Sequence, residues 1–304
     1  KGWPQLMLAY KISQDGGAVV KGTSEIVIDR PADMHVTSGG VLTWMNTGSR
    51  RCFTQVALGD PNTENPTYVR TVDLPTAYQG TPNSDSTYGI VVDSSNNVYV
   101  SVVTSNGVKI MKWVASTEIW TENWATQATT TLADDEWYGL GIDDNDSVYA
   151  AAATDIVGVG AGGAAEFLVR FRDQGATAAQ AAITAVQTED YYDVAPFPSG
   201  ASFVYGYDRS AYQIDRYTSA LGASSDPLVD LGTGAGARSI WTTSSGNIYV
   251  TNRANDNFMK RSSTGAAIYT VAGSQINGIA GICVWYKSST NETFVVVGAQ
   301  ISNQ

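Results

Sequence analysis

Tyr88-Gly-Ile-Val-Val-Asp-Ser-Ser-Asn-Asn-Val-Tyr-Val100 is restated twice in this chain, as Tyr138-Gly-Leu-Gly-Ile-Asp-Asp-Asn-Asp-Ser-Val-Tyr-Ala150 and as Arg238-Ser-Ile-Trp-Thr-Thr-Ser-Ser-Gly-Asn-Ile-Tyr-Val250. Each copy is a short run rich in apolar or β-branched residues, then a turn of Asp, Thr, Ser, Asn or Gly, then a second run ending in an apolar-Tyr-apolar triplet. That order predicts a β-hairpin. A hairpin restated every few tens of residues predicts a propeller, a solenoid or an array, because one such unit cannot bury its apolar face alone.

Fainter copies emerge when the register is fixed on the Tyr of the triplet: Pro31 to Thr43 with Leu42 in that slot, Tyr192 to Val204 with Phe203, and Gly278 to Val297 with a longer turn. Six units follow, starting near residues 31, 88, 138, 192, 238 and 278. The spacing of roughly 40–57 residues suits four short strands per unit. Third strands are legible as Val108 to Trp113, Phe167 to Arg172, Tyr212 to Tyr217 and Phe258 to Arg261, whose interleaved charges suit a strand with one wet face. The last unit lacks such a strand, and Leu6-Met-Leu-Ala-Tyr-Lys-Ile12 with the following Ser13-Gln-Asp-Gly-Gly17 has the right pattern to supply it, with Glu25-Ile-Val-Ile28 as a fourth. Residues 5–28 are therefore expected to complete the sixth blade and close the ring, removing exposed strand edges. The expected fold is all-β: residues 1–304 as one six-bladed β-propeller with four-stranded blades.

The pattern Tyr-Gly-Ile-x-Val-Asp-x-x-x-Asn-Val-Tyr-Val at Tyr88 to Val100 resembles the repeat of NHL-type propellers and of the related bacterial and phage β-propeller repeat proteins, and Ser84 to Ser95 is similar to the latter. The resemblance implies a disc with a central channel, and a ligand face built from the loops between blades and between second and third strands.

Composition fits a single β domain. The 304 residues include 30 Gly, 16 Tyr and 8 Trp, and no apolar run is long enough for a membrane-spanning helix. The chain shows neither an initiator Met nor a signal peptide, so Lys1 is read as the start of a processed chain or of a domain cut from a larger assembly. With 29 acidic against 18 scattered basic residues and a net charge of -11, nucleic acid is not an expected partner. The two cysteines, Cys52 and Cys283, are expected in neighbouring blades as separate buried thiols.

Few residues propose chemistry. The single histidine, His35, falls in the first strand of the first unit and is read as structural; a multi-histidine zinc site is excluded. No Gly-x-Ser-x-Gly elbow occurs. Asp143-Asp-Asn-Asp-Ser147 places oxygens at alternate positions, making Asp143 and Asn145 weak metal candidates, with calcium the one cofactor they could hold. The same residues also read as an ordinary Asx turn.

The expected binding face is richer. Arg50, Arg51, Trp137, Tyr207, Arg209, Arg253 and Asp256 combine guanidinium, aromatic and carboxylate groups in the loops of that face, a composition suited to glycan or protein recognition. The leading expectation is a non-enzymatic recognition or structural module, extracellular on a cell or virion surface, binding glycan or protein. The alternative is a metal-dependent, lactonase-like hydrolase with carboxylates at the central channel.

Overall fold

The computed structural model describes residues 19–21, 24–26, 31–47, 50–59, 66–79, 86–104, 107–126, 137–152, 167–183, 191–197, 203–208, 211–232, 236–237, 239–272, 279–287 and 292–299. Two short strands, β1 (Val19–Lys21) and β2 (Ser24–Ile26), form their own antiparallel pair. Five four-stranded antiparallel sheets follow. Blade I is β3 (Pro31–Val36), β4 (Val41–Asn46), β5 (Cys52–Ala57) and β6 (Thr67–Asp73). Blade II is β7 (Ser86–Val92), β8 (Val98–Thr104), β9 (Gly107–Val114) and β10 (Ile119–Thr126). Blade III is β11 (Trp137–Ile142), β12 (Val148–Ala152), β13 (Phe167–Asp173) and β14 (Ala178–Ile183). Blade IV is β15 (Tyr191–Pro196), β16 (Phe203–Asp208), β17 (Gln213–Thr218) and β18 (Ala223–Asp230). Blade V is β19 (Ile240–Thr242), β20 (Ile248–Asn252), β21 (Asn257–Arg261) and β22 (Ala267–Ala272). The chain continues into a two-stranded sheet, β23 (Ile279–Lys287) and β24 (Glu292–Ala299).

Within each blade the strands run in sequence order, and the first strands of successive blades touch: β3 with β7, β7 with β11, β11 with β15, β15 with β19. Strand β23 contacts both β19 and β3. The fold is thus an all-β propeller, as the repeat requires, but with five four-stranded blades rather than six among the described residues. The last repeat unit is a hairpin only, and closure by the N-terminal strands is not shown. Residues 6–12 lie outside the described residues, and β2 pairs with β1 and touches β6 of blade I.

The turns explain why the hairpins form where they do. In blades I, II, III and V the turn residue that adopts a left-handed backbone is Gly40 (φ 77°), Asn96 (φ 64°), Asp146 (φ 57°) and Gly246 (φ 82°), two positions before the residue that pairs with the end of the first strand. Only Gly, Asn or Asp enters that region readily. Each turn is closed by paired main-chain bonds, such as Asn96 N–H to Asp93 O and Asp93 N–H to Asn97 O, both 3.0 Å.

Strand pairing also corrects two registers. The residue opposite Val91 is Tyr99, opposite Gly141 is Tyr149 and opposite Trp241 is Tyr249. The equivalent pairs in blades I and IV are His35 with Thr43 and Ala195 with Tyr205. The Tyr slot is therefore Thr43, not Leu42, and Tyr205, not Phe203. Apolar layers fill the spaces between blades; one joins Met45 and Phe53 of blade I to Ile90, Val100, Met111 and Trp113 of blade II. Cys52 and Cys283 are free, buried thiols, and burial pushes the Cys52 thiol up to about 11.

Candidate functional site

Two places bring together chemistry-bearing side chains: the first strands near the centre of the disc, and a cleft between blades III and IV.

A first strand has a partner on one side only, so its inward amides need acceptors from elsewhere. Asp33 on β3 supplies one, its Oδ2 accepting the Ile90 N–H of blade II at 3.0 Å. Asp193 on β15 does the same one blade on, its Oδ2 accepting the Ile240 N–H of blade V at 2.8 Å while Oδ1 accepts the Val194 N–H at 2.8 Å. The equivalent slots of the other units hold Gly89, Gly139, Ser239 and Gly281. Both carboxyls are buried, 7% and 3% exposed. Burial raises Asp33 to about 7, and burial together with the charge of Asp33 raises Asp193 well above the usual carboxylate range. Two residues along β3, His35 packs against the Trp241 ring at 5.1 Å with its Nδ1 buried and unpartnered. Burial lowers its pKa to about 3, so its imidazole stays neutral.

The cleft, of about 600 Å³, lies at the edge of the disc that carries the turns between first and second strands. It is lined by Asp143, Asn145, Asp146 and Ser147 of the β11–β12 turn, by Arg170, Arg172 and Asp173 of β13, and by Ser219 of the β17–β18 turn. All eight are polar or charged. The Asp143 carboxylate is spent on its own turn: Oδ1 accepts the Asn145 and Ser147 N–H groups, both at 2.9 Å, and Oδ2 accepts the Tyr149 hydroxyl at 3.1 Å. Burial, and then the Asp143 charge, pushes the Tyr149 phenol up. Asp146 reaches back to blade II, accepting the Ser94 N–H at 2.8 Å and the Ser94 hydroxyl at 2.6 Å. Asp173 accepts Trp124 Nε1–H at 2.7 Å and the Gly175 N–H at 3.0 Å, and pairs with Lys112. Burial pushes its carboxyl up, but the Lys112 and Trp124 bonds outweigh that and hold it below its ordinary value. Arg170 Nη1–H donates to Ser219 O at 2.6 Å, tying blade III to blade IV.

The residues expected on the opposite, loop edge are dispersed. Arg50 forms a two-pronged exposed pair with Asp73, at 2.6 and 3.1 Å. Arg51 is buried, donating from Nη1 to Tyr78 O at 3.3 Å. Tyr207 is fully buried in the blade IV core. Asp256 ends a single helical turn, Arg253–Asn255, with φ 46°. Arg209 and the side chains of Trp137 and Arg253 lie outside the described residues. Asp143 and Asn145 do come together, as turn and cleft wall, but no cluster of three or more His, Cys, Asp or Glu suited to a metal occurs among the described residues.

Sequence reasoning missed both Asp193 and the basic wall of the cleft. Asp193 stands in the slot of Gly89 and Gly139, a departure visible once the repeats are aligned. Arg170 and Arg172, two apart on one strand, share a face, and that spacing was the available signal.

Comparison of the sequence with protein-family models and with curated proteins finds no match. Solved structures share the fold. The chain is similar to virginiamycin B lyase from Staphylococcus aureus, solved as a catalytically inactive histidine-to-alanine variant with quinupristin, at 13% identity and TM-score 0.54 over 83% of this chain and 73% of that one. It is similar to a streptogramin B lyase at 12% identity and TM-score 0.56, over 92% and 85%. It is also similar to regucalcin, a calcium-binding protein from Agrobacterium tumefaciens, at 11% identity and TM-score 0.55, over 89% and 91%. At such identities the likeness establishes a β-propeller fold and nothing finer.

Proposed function

We propose that the chain is a recognition propeller that holds a glycan in the cleft between blades III and IV, as an extracellular module of a cell or virion surface. The observation that carries this is that every residue lining the cleft is polar or charged. Its volume falls within the range of small-ligand sites, about 300–1,000 Å³. Most such sites are apolar with a few polar groups, whereas a wall of guanidinium, amide, hydroxyl and carboxylate groups matches a polyhydroxylated ligand. Calcium is not needed for this reading, since Asp143 already accepts three hydrogen bonds from its own hairpin. The remaining unit is read as the inner half of a sixth blade, supported by β23 touching both β19 and β3.

The test is a glycan-array screen of the protein and of Ser219→Trp, which fills the cleft from an edge turn. Binding by the parent and its loss in the variant is expected. Binding that survives Ser219→Trp places the ligand elsewhere and overturns the reading.

A second reading, a hydrolase using the central carboxylates, is favoured by one observation: Asp33 and Asp193 are buried close enough for one charge to raise the other's pKa, a pattern common at active sites. Lactone and ester hydrolysis that disappears in both Asp33→Asn and Asp193→Asn would select it.

A further inference from the structure

We infer that the cleft between blades III and IV selects an acidic sugar, whose carboxylate is taken by the Arg172 guanidinium. This deepens the glycan reading and rests on it.

The argument is a count of donors and acceptors. Each of the six carboxylate oxygens of Asp143, Asp146 and Asp173 already accepts at least one hydrogen bond from the protein. A neutral glycan needs acceptors for its hydroxyl protons, and these acids are largely committed. One donor is less committed. Arg172 is exposed on β13 and has no hydrogen-bond or ion-pair partner among the described residues. Arg170 is held by Ser219 O and the Tyr149 side chain, and its Nε is buried. Arg172 therefore presents spare N–H groups over largely committed acceptors, and it matches a ligand rich in acceptors.

A planar carboxylate meets a guanidinium through two parallel N–H···O bonds, roughly twice as strong as neutral ones. Asp146, bonded only to the neutral Ser94, is the one acid of the wall that opposes this attraction. Lys112 neutralises Asp173, and Asp143 faces its own turn amides and the Tyr149 hydroxyl rather than the cleft's open side. Arg170 fixes the distance between the wall of blade III and the turn of blade IV, so Arg172 stands beside a preformed gap.

The experiment is titration calorimetry with tetragalacturonate and tetraguluronate, each beside its methyl ester, which keeps the ring hydroxyls and removes the charge. At least one free acid is expected to bind about tenfold or more tightly than its ester, with the preference weakening in about 0.5 M salt. Arg172→Ala should abolish the preference and Arg172→Lys should retain part of it, with unchanged melting temperature because the side chain is exposed. Equal binding of acid and ester overturns the inference while leaving a glycan cleft in place. Binding of neither overturns both, and a preference unaltered by Arg172→Ala overturns the role of Arg172.

Discussion

Asp193 Oδ1 occupies the space that a side chain at residue 139 would need: a Cβ added to Gly139 would lie 1.4 Å from that oxygen. Asp193 meanwhile holds the Ile240 amide of the blade beyond at 2.8 Å. One carboxylate thus spans three blades, filling the gap left by a glycine behind it and capping a strand edge ahead.

Gly139→Ala should therefore be strongly destabilising, by about 3 kcal/mol, because the whole Asp193 side chain, bonded to the Ile240 and Val194 amides, would have to move. Asp193→Ala should cost a similar amount by orphaning the Ile240 amide. In the double variant the contacts at 1.4 and 2.3 Å are gone and only the Asp193 Cβ at 2.9 Å remains, so the combined loss should be smaller than the sum of the two. Urea denaturation of the four proteins measures that coupling, and strict additivity would contradict the geometry.

The central carboxyls should make stability fall in mild alkali. Asp33 titrates near 7 in the folded protein and near 3.8 when unfolded, so its contribution is complete in acid and lost as pH rises through about 7. His35 runs the other way, favouring the fold above 6.5 and less so as pH falls towards about 3. The two slopes oppose each other between about pH 4 and 6.5, so only the end of the Asp33 loss, about 1 kcal/mol between about pH 6.5 and 8, is left unopposed. The raised Asp193 carboxyl adds to that fall. Asp33→Asn should flatten this arm, and His35→Gln should instead leave it intact and make stability keep rising towards about pH 4.

The repeat's tyrosines should not be equivalent. Tyr99 donates to Asp93 Oδ2 at 3.0 Å and Tyr149 to Asp143 Oδ2 at 3.1 Å. Tyr205 stands in the same slot, but the turn before it carries Phe197 in place of the Asp, and its buried hydroxyl has no partner. Tyr99→Phe and Tyr149→Phe should each cost about 1–1.5 kcal/mol, whereas Tyr205→Phe should be neutral or stabilising. Denaturant midpoints at constant m-value read the difference.

Adjacent arginines should behave differently. The Arg50 pair with Asp73 is solvent-exposed, so Arg50→Ala should change stability by less than about 1 kcal/mol. Arg51 is 3% exposed and supports the Tyr78 carbonyl, so Arg51→Ala should cost about 2–3 kcal/mol. Thermal melts of the two variants suffice, and equal effects would refute the distinction.

Much of the scaffold was legible because the repeat encodes it locally. The third strands expected at 108–113, 167–172 and 258–261 fall in β9, β13 and β21, and that at 212–217 overlaps β17 in all but Tyr212, since alternation over a few residues is enough to specify a strand. Register was less legible. Leu42 is one residue from the Tyr slot, and a slip of a single residue exchanges the faces of a strand; Phe203 is two residues away on the same face, where alternation cannot tell it from Tyr205, and only pairing places Thr43 and Tyr205 opposite His35 and Ala195. The cleft was not legible at all. It joins a turn of blade III, the third strand of the same blade and Ser219 of blade IV, and no local pattern announces that assembly. Arg51 and Tyr207 are residue types that suit a binding face, yet burial commits both to the interior.

The contact between Gly139 and Asp193 also orders the history of the chain. If the hairpins descend from copies of one ancestral unit, their inner slots began alike, and they now hold Asp33, Gly89, Gly139, Asp193, Ser239 and Gly281. An aspartate could enter at 193 only after residue 139 had lost any Cβ, because the reverse order passes through a clash at 1.4 Å. Blade IV is thereby tied to a neighbour with glycine in its inner slot: a copy of blade II, with Gly89, could stand in for blade III, whereas a copy of blade I or V would bring Asp33 or Ser239 against the Asp193 carboxylate.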